Sequence, residues 1–157
     1  MPARKLQLGL LVAACTLLLT SPATAGPPSP REASLLAAVN GVRKAHDLRP
    51  LTVDAKLMRV ARGYSATLLR EGVLTHGNFA ERMRGSGARG PRFGENLAWG
   101  TGGYAAAKSI VRAWMSSPGH RANLLRPGFR RIGLGAVVGR FGGYRGATVI
   151  TADFAGS

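Results

Sequence analysis

The stretch IGLGAVVGRFGGYRGATVITADF, residues 132–154, decides the fold class of this chain. It contains two β-prone runs, residues 132–138 and 147–154, and the Phe141-Gly142-Gly143-Tyr144 segment between them supplies a turn. We therefore predict an antiparallel hairpin near the end of the chain. All of the predicted helices precede this hairpin, which is typical of an α+β domain whose helices cover an antiparallel sheet.

Apolar periodicity predicts the helices upstream of the hairpin. From Glu32 onward apolar residues recur at helical spacing, and this first helix should end before Pro50. Asp54 is the expected N-cap of a second helix that ends at Gly72. A third helix is predicted from about Tyr104 to Met115, followed by a short helix with Ser117 at the N-cap and Pro118 at its first position.

The segments between these helices are expected to be irregular. Residues 85–91 are rich in glycine and arginine, which is typical of a mobile loop. Gly94 is expected to form a tight bend that carries Glu95 and Asn96. The residue pattern alone leaves open whether these two side chains only hold loop backbone.

The N-terminus has the features of a targeting segment. Arg4 and Lys5 precede the apolar run Leu8–Thr20, and Ala23-Thr24-Ala25 places small residues before a cleavage site at Gly26. The alternative is the lipobox-like Val12-Ala13-Ala14-Cys15, which would make Cys15 a lipid-modified terminus. Both readings predict export. We expect a signal peptide at 1–25, a flexible leader at 26–31 and one domain at 32–157.

Cysteine content and charge narrow the function classes. Cys15 is the only cysteine, so the cleaved form has no disulfide, thiolate ligand or cysteine nucleophile. The net charge of +15 favours anionic partners such as acidic envelope polymers or lipid head groups. Nucleic acid is not expected as a partner, because no basic run is interleaved with aromatic residues.

Two segments carry the candidate site, Gly94-Glu95-Asn96-Leu97-Ala98-Trp99-Gly100 and Trp114-Met115-Ser116-Ser117-Pro118-Gly119-His120-Arg121-Ala122-Asn123-Leu124-Leu125. With His76, just upstream, Glu95 and His120 would form a cleft of imidazole and carboxylate groups. Each of the three could instead serve a structural role, at a helix end or in a bend.

These motifs resemble the CAP superfamily of cysteine-rich secretory, antigen 5 and pathogenesis-related 1 proteins, and within it the secreted bacterial SCP-like domains. The resemblance runs from Leu36 to Phe154. Its motifs are Asn40-x-x-Arg43-x-x-His46, Leu51-x-x-Asp54-x-x-Leu57, His76-x-x-Phe79-x-x-Arg82, Gly94-Glu95-Asn96, Ser117-Pro118-Gly119-His120-Arg121 and Ile132-Gly133-Leu134-Gly135. It implies a three-layer α-β-α sandwich with a central antiparallel sheet and a large open cleft.

The resemblance also implies a cleft tetrad of two histidines and two glutamates, with a divalent metal on the histidines in some members. His76, Glu95 and His120 match three of these positions. The fourth is occupied by Ser117. The expected metal ligands are His76 and His120, with Glu95 as third ligand or as acceptor for a histidine N–H. No cofactor is required, and Zn²⁺ or another divalent ion is the one that would suit this set.

Other enzyme classes fit less well. A serine hydrolase would need a nucleophile-elbow pattern, which the sequence lacks. A glycosidase needs two cleft carboxylates, and Glu95 alone has a motif that places it there. Asn96 and Ser117 are expected at the cleft rim. Four arginines, Arg82, Arg84, Arg89 and Arg92, lie between His76 and Glu95 in sequence and are expected to border the cleft and attract an anionic ligand.

The sequence therefore predicts a secreted protein that binds a ligand at the cell envelope or outside it. We expect it to be a monomer and not to be an enzyme. Its expected ligand is a small amphipathic molecule or an anionic envelope polymer, and it would meet the membrane only peripherally or through a lipidated Cys15. The alternative is a metal-assisted hydrolase with metal on His76 and His120 and Glu95 as general base.

Overall fold

The computed structural model describes residues 26–156, and both proposed processing sites of the N-terminal segment, apart from Gly26 itself, lie outside this range. The helices are α1 (Pro30–Lys44), α2 (Ala55–Glu71), α3 (Phe79–Gly85), α4 (Ala107–Met115) and α5 (Pro118–Leu124), with a 3₁₀ turn at Gly102–Ala105. The strands are β1 (Thr52–Val53), β2 (Phe93–Gly100), β3 (Phe129–Phe141) and β4 (Tyr144–Gly156). No helix in the described range is long and apolar enough to cross a bilayer.

One sheet with the strand order β1–β3–β4–β2 forms the middle layer. The predicted hairpin is confirmed, because β3 and β4 pair antiparallel around the Gly142-Gly143 turn. β2 pairs antiparallel with β4, whereas the two-residue β1 pairs parallel with β3. The sheet is thus antiparallel except at this short edge, and the predicted α+β fold class is confirmed.

Helices cover both faces of the sheet. On one face α1, α4 and α5 bury a cluster that includes Leu35, Trp114, Ile150 and Phe154. On the other face α2 packs along β3 and β4, and α3 joins it through Met83, which contacts Leu57 and Ala155. Side chains alternate between the two faces along a strand, and β4 is buried on both, as expected for the centre of a three-layer domain.

Helix α2 begins and ends where its sequence signals place it. The Asp54 carboxylate accepts from the backbone N–H groups of Lys56 and Leu57, and Gly72 ends the helix in the left-handed conformation. The helix also lies unusually close to β3, since a Cβ atom at Gly133 would come within 2.1 Å of the carbonyl carbon of Leu57. The glycines of the Ile132–Gly135 motif therefore permit this contact between helix and sheet.

The N-terminal leader is shorter than predicted. Helix α1 begins at Pro30, because Ser29 and Glu32 form a capping box and proline suits the first helical position. The leader is also anchored, since Arg62 donates to the carbonyl oxygens of Gly26 and Pro27 and holds both carboxylate oxygens of Glu32. Pro30 and Arg31 thus belong to the domain.

Two further elements differ from the sequence expectations. Glu95 and Asn96 lie in strand β2 and not in a tight bend, because residues 93–100 pair in continuous register with β4. Helix α3 was not predicted at all. It spans seven residues and is held by the burial of Met83, which periodicity over so short a segment does not reveal.

Candidate functional site

Strand β2 places Glu95 at the free edge of the sheet. Its carboxylate faces the α2/α3 layer and is almost fully buried. The outer edge of the strand is capped by side chains, since Asn123 donates to the carbonyl oxygen of Glu95 at 3.1 Å and the Trp114 indole donates to that of Leu97 at 2.9 Å. These caps satisfy edge carbonyls that would otherwise be free to pair with another strand.

His76 and Glu95 meet as the sequence predicts. The Nδ1 atom of His76 lies 2.7 Å from Oε1 of Glu95. A carboxylate only accepts, so Nδ1 carries the proton and Nε2 is the atom available to a ligand. The His76 side chain is 57% exposed and the Glu95 side chain 1%, so the buried acid orients an imidazole that opens to solvent.

Arg82 holds the other half of the Glu95 carboxylate. One terminal nitrogen of its guanidinium forms an ion pair with Oε2 of Glu95, and the other donates to the carbonyl oxygen of His76 at 2.8 Å. The guanidinium carbon lies 3.3 Å from the centre of the Tyr64 ring, in a cation–π contact. Arg82 therefore belongs to the interior of the site and is not free to attract an anionic ligand.

Tyr64 of α2 holds the loop that carries His76 in place. The Tyr64 hydroxyl donates to the carbonyl oxygen of Thr75 at 2.5 Å. Gly77 adopts a φ of +48°, and a Cβ atom there would lie 2.8 Å from the same hydroxyl. Glycine is thus required for the close approach that places His76 over Glu95.

Asp153 is a second buried acid that sequence reasoning did not place in the site. It lies opposite Glu95 in the β2–β4 register, it is fully buried, and neither of its carboxyl oxygens has a hydrogen-bond partner among the described residues. Burial, followed by the neighbouring Glu95 charge, raises the pKa of Asp153 well above its usual range. The sequence feature that could have indicated this buried acid is its place in the otherwise apolar, β-prone run 147–154.

His120 approaches the edge of β2 from the opposite layer. It lies in the first turn of α5, where Ser117 is the N-cap and Pro118 the first residue, as predicted. Burial lowers the pKa of His120, and repulsion from His76 lowers it further. Both effects favour the neutral form of the His120 ring.

Asn96 is a buried scaffold residue and not part of a rim. Its side-chain amide donates to the carbonyl oxygen of His120 at 3.0 Å and accepts from Asn123 at 2.9 Å. It is fully buried on the α4/α5 side of β2. Asn96 therefore ties helix α5 to the edge strand and sets the position of His120.

A cavity of about 430 Å³ lies beside His120. Ser109, Ser117 and His120 form its polar part. Its apolar lining consists of Leu74, Leu97, Ala98, Trp99, Tyr104, Ile110, Ala113 and Trp114. Its size lies within the range of small-molecule sites. Ser117, predicted at the rim, does line this cavity.

The other three arginines predicted at the rim do not gather at the cleft. Arg84 is exposed on α3. Arg89 lines a depression beside Asp54 and Arg131, and Arg92 lines another beside Arg126. The loop after α3 runs away from the histidines to the β3 side of the sheet, so sequence proximity did not translate into one anionic site.

The residues present fit a three-ligand metal centre poorly. In residues 26–156 no group of three or more His, Cys, Asp or Glu side chains stands ready to hold a metal ion. Both oxygens of Glu95 are engaged by His76 and Arg82, which leaves the two imidazoles as candidate ligands. Catalytic zinc sites use three protein ligands.

The fold and the site together define a three-layer α+β domain with a histidine–carboxylate cleft at its edge strand. The model of the CAP cysteine-rich secretory protein family matches residues 36–154. The chain therefore belongs to this family, and the resemblance that its motifs predicted is confirmed. Its domain is a CAP domain.

Several relatives are similar to this chain. The uncharacterized protein YkwD of Bacillus subtilis is 32% identical over 111 residues, which cover 68% of this chain and 42% of YkwD. An extracellular SCP-domain protein of Bacillus anthracis has a TM-score of 0.67 at 23% identity, over 84% of this chain and 45% of that one. An outer surface protein of Borrelia burgdorferi has a TM-score of 0.66 at 23% identity, over 78% of this chain and 90% of that one. The chain thus spans less than half of YkwD.

Proposed function

We propose that this domain binds an amphipathic, lipid-like molecule with an anionic head group, and that the apolar part of the ligand occupies a groove between α1 and α4. The groove, of about 830 Å³, is the observation that carries the proposal. It is larger than the cavity beside His120, lies between α1 and α4, and includes neither His76 nor His120 in its lining.

The sequence of α1 explains why a groove forms there. Small residues recur on one stripe of the helix, so α1 and α4 cannot fill the space between them. The lining consists of Ser34, Ala37, Ala38, Gly41 and Val42 of α1, Ala45 directly after it, Ala106, and Ala107, Lys108, Val111, Arg112 and Met115 of α4. A second cavity of about 350 Å³ shares Ser34, Ala106 and Ala107 with the groove and extends it to Ile150 of the sheet.

The charges at the groove favour an anionic head group. Lys108 and Arg112 are both exposed and line it, and no acidic side chain does. An apolar trough beside two cations suits a molecule with a hydrocarbon portion and a carboxylate or phosphate. A fully apolar ligand would leave both cations without a role.

Filling the groove tests this proposal. Gly41 is exposed within α1, and a Cβ atom there would meet no other atom within 4 Å. Gly41→Leu should therefore fold, and should gain helix propensity of up to about 1 kcal/mol while it blocks the groove. We expect it to abolish binding of a dansyl-labelled long-chain fatty acid, measured by fluorescence titration.

Gly63 offers a matched control, because it is also an exposed helical glycine with free space at its Cβ, in α2. Gly63→Leu should leave probe binding unchanged. Lys108→Gln/Arg112→Gln should weaken binding of the labelled fatty acid and leave binding of a dansyl-labelled long-chain alcohol unchanged. Equal binding of the probe by Gly41→Leu and the parent chain would refute the proposal.

The alternative function is metal-assisted hydrolysis in the His76/His120 cleft. The Glu95–His76 hydrogen bond supports it, since a carboxylate that orients a histidine commonly backs a metal ligand. Against it stands the engagement of both Glu95 oxygens, because a general base needs a free one. Comparing the zinc content of the parent chain with that of His76→Ala/His120→Ala tests it. Equal, negligible zinc in both would remove this alternative.

We also propose that the protein acts outside the cytoplasm, at or beyond the cell envelope. The signal-like N-terminus supports this, as do the extracellular and outer-surface descriptions of structurally similar proteins. Sequencing the N-terminus of the protein recovered from the culture medium would test it. A start at Gly26 is expected, whereas a lipid-modified Cys15 would support the lipoprotein alternative.

A further inference from the structure

Seven large apolar side chains are exposed in residues 26–156: Val53 and Val138 lie on strands β1 and β3, and five others lie on four further segments. These five are Val73 (55% exposed) and Leu74 (38%) after α2, Trp99 (37%) at the end of β2, Tyr104 (82%) in the 3₁₀ turn, and Tyr144 (58%) in the β3–β4 hairpin. We call this set the exposed apolar rim. Val73, Tyr104 and Tyr144 therefore expose more than half of their surface in the described part of the chain.

The members of the exposed apolar rim lie together at one end of the domain. Leu74, Trp99 and Tyr104 line the same cavity beside His120. The rings of Trp99 and Tyr144 have centroids 5.9 Å apart, and Val73 directly precedes Leu74. Single exposed apolar residues are common in soluble proteins, but a contiguous set marks an interaction surface.

The rim is held in place by the hairpin. The Trp99 ring packs against Phe141 with a centroid distance of 5.3 Å. Gly142, in the turn, has a φ of +56°, and a Cβ atom there would lie 2.9 Å from the Trp99 ring. The glycine lets the turn close over the indole, so Trp99 is fixed from one side and exposed on the other.

Arginines surround the exposed apolar rim. Arg140 and Arg145 are exposed on the hairpin beside Tyr144, and Arg70 is exposed at the end of α2. Glu71 is the one acid in residues 70–76, 99–104 and 138–146, and its carboxylate lies 3.8 Å from Arg70. The rim is therefore apolar, aromatic and positively charged.

We propose that the exposed apolar rim seats the domain on an anionic lipid surface. Tryptophan and tyrosine favour the level of the lipid head groups, since their rings are apolar with one polar atom. Val73 and Leu74 supply insertable apolar surface, and Arg140 and Arg145 supply attraction to anionic head groups. This inference concerns where the domain sits and is independent of the ligand in the α1/α4 groove.

The composition of the rim favours a lipid surface over two other partners. A soluble anionic polymer would use the arginines but would give Val73 and Leu74 no role. If the surface instead bound a protein partner, its binding to vesicles would not depend on whether the lipids are neutral or anionic. These alternatives supply the opposing outcomes of the test.

The experiment uses the purified exported form of the protein with vesicles of phosphatidylcholine alone or mixed equally with phosphatidylglycerol. Co-sedimentation measures binding, and tryptophan emission reports on the rim, because Trp114 is buried and Trp99 is exposed. We expect binding to the anionic vesicles with a blue shift of the Trp99 emission, and weak binding to the neutral ones.

Two variant sets assign the binding to the rim. Val73→Ser/Tyr104→Ser/Tyr144→Ser alters only exposed side chains. It should weaken anionic-vesicle binding by at least about tenfold, because the protein loses three apolar groups that would insert into the lipid. The matched control Val53→Ser removes an exposed valine of β1 and should have no effect. Arg140→Gln/Arg145→Gln should weaken binding to anionic vesicles roughly tenfold at low salt. The pair Arg49→Gln/Arg84→Gln, whose side chains are also exposed, should leave this binding unchanged.

Three results would overturn the proposal. One is equal binding to neutral and anionic vesicles. Another is vesicle binding without a blue shift of Trp99. The third is binding that the triple serine variant retains and that soluble polyphosphate competes away, which would assign the surface to a polyanion.

Discussion

Asp153 of β4 lies directly opposite Glu95 of β2, and the two carboxyl groups are buried side by side behind His76. Arg82 provides one positive charge, and it pairs with Glu95. A second carboxylate there would be buried without a counter-charge, which is why the pKa of Asp153 is raised. The site thus contains two buried acids, and Asp153 is the one whose pKa is raised.

The raised pKa of Asp153 predicts a pH dependence of stability. Because its folded-state pKa lies above the unfolded-state value, the folded chain binds more protons in the interval between them, and stability falls as pH rises through it. Asp153→Asn removes this loss. We measure the unfolding free energy of the variant and of the parent by urea unfolding at neutral pH and near pH 4. The value for the variant minus the value for the parent should be larger at neutral pH. A difference that does not change with pH would contradict a protonated Asp153.

The Glu95 carboxylate should matter for stability as well as for the histidine. Glu95→Gln removes the partner of Arg82 inside the domain, and breaking a buried pair typically costs about 3–5 kcal/mol. It also removes the acceptor that selects the Nδ1–H tautomer of His76. We expect a lower unfolding free energy and a changed ¹⁵N shift pattern for the His76 ring. Glu81→Gln, on the exposed face of α3, is the control and should change neither.

Local signals in the sequence predicted much of the fold. Asp54 and Gly72 fixed the ends of α2, and the Phe141–Tyr144 turn fixed the hairpin, because each depends on residues close together in the chain. Strand β2 was missed, since Gly94 and Gly100 at its ends suggest a bend and its pairing partner β4 lies some fifty residues away. Its pairing with β4 depends on tertiary contacts.

The candidate site was also predicted only in part, because some of its residues belong to recognisable motifs and others are brought together by tertiary contacts. His76 and Glu95 were brought together by motif order, and the structure places them in hydrogen-bond contact. Asp153 was not foreseen, because only the strand register puts it opposite Glu95. Arg89 and Arg92 were assigned to the cleft from chain proximity alone, and the path of the loop takes them elsewhere.

Arg43 is a buried cation with no carboxylate beside it among the described residues, and its replacement should be costly. Its guanidinium donates to four carbonyl oxygens, those of Arg49, Leu124, Arg126 and Phe129. These bonds join the end of α1 to the chain after α5. Burial, together with repulsion from Arg130, lowers the pKa of Arg43, so the carbonyl dipoles alone stabilise its charge.

Arg43→Lys keeps the charge and loses the planar fork that reaches all four carbonyls. We expect it to lower the unfolding free energy by about 2–4 kcal/mol, since several buried acceptors lose their donors. Thermal and urea unfolding measure this loss. Arg49→Lys is the control, because the Arg49 side chain is exposed, and it should leave stability nearly unchanged. Equal stability of the two variants would show that the carbonyl cluster does not depend on the guanidinium.

The glycines of Ile132–Gly135 should be irreplaceable for a steric reason. A Cβ atom at Gly133 would lie 2.1 Å from the Leu57 carbonyl carbon, and one at Gly135 would lie 2.3 Å from the Ala61 carbonyl oxygen. Both obstacles are helix backbone and cannot rotate away. Alanine at either position must push α2 off the sheet, and such overpacking costs about 1–3 kcal/mol or more.

Gly128→Ala is the matched control for these variants, because a Cβ atom there would meet no atom within 4 Å. Urea unfolding should show a large loss of stability for Gly133→Ala and for Gly135→Ala and almost none for Gly128→Ala. Since α2 carries Tyr64, which supports Arg82 and the His76 loop, the displacement should also weaken the His76–Glu95 hydrogen bond. A Gly133→Ala variant with parent-like stability and an unchanged His76 ring spectrum would show that the helix does not rest on the sheet as closely as described.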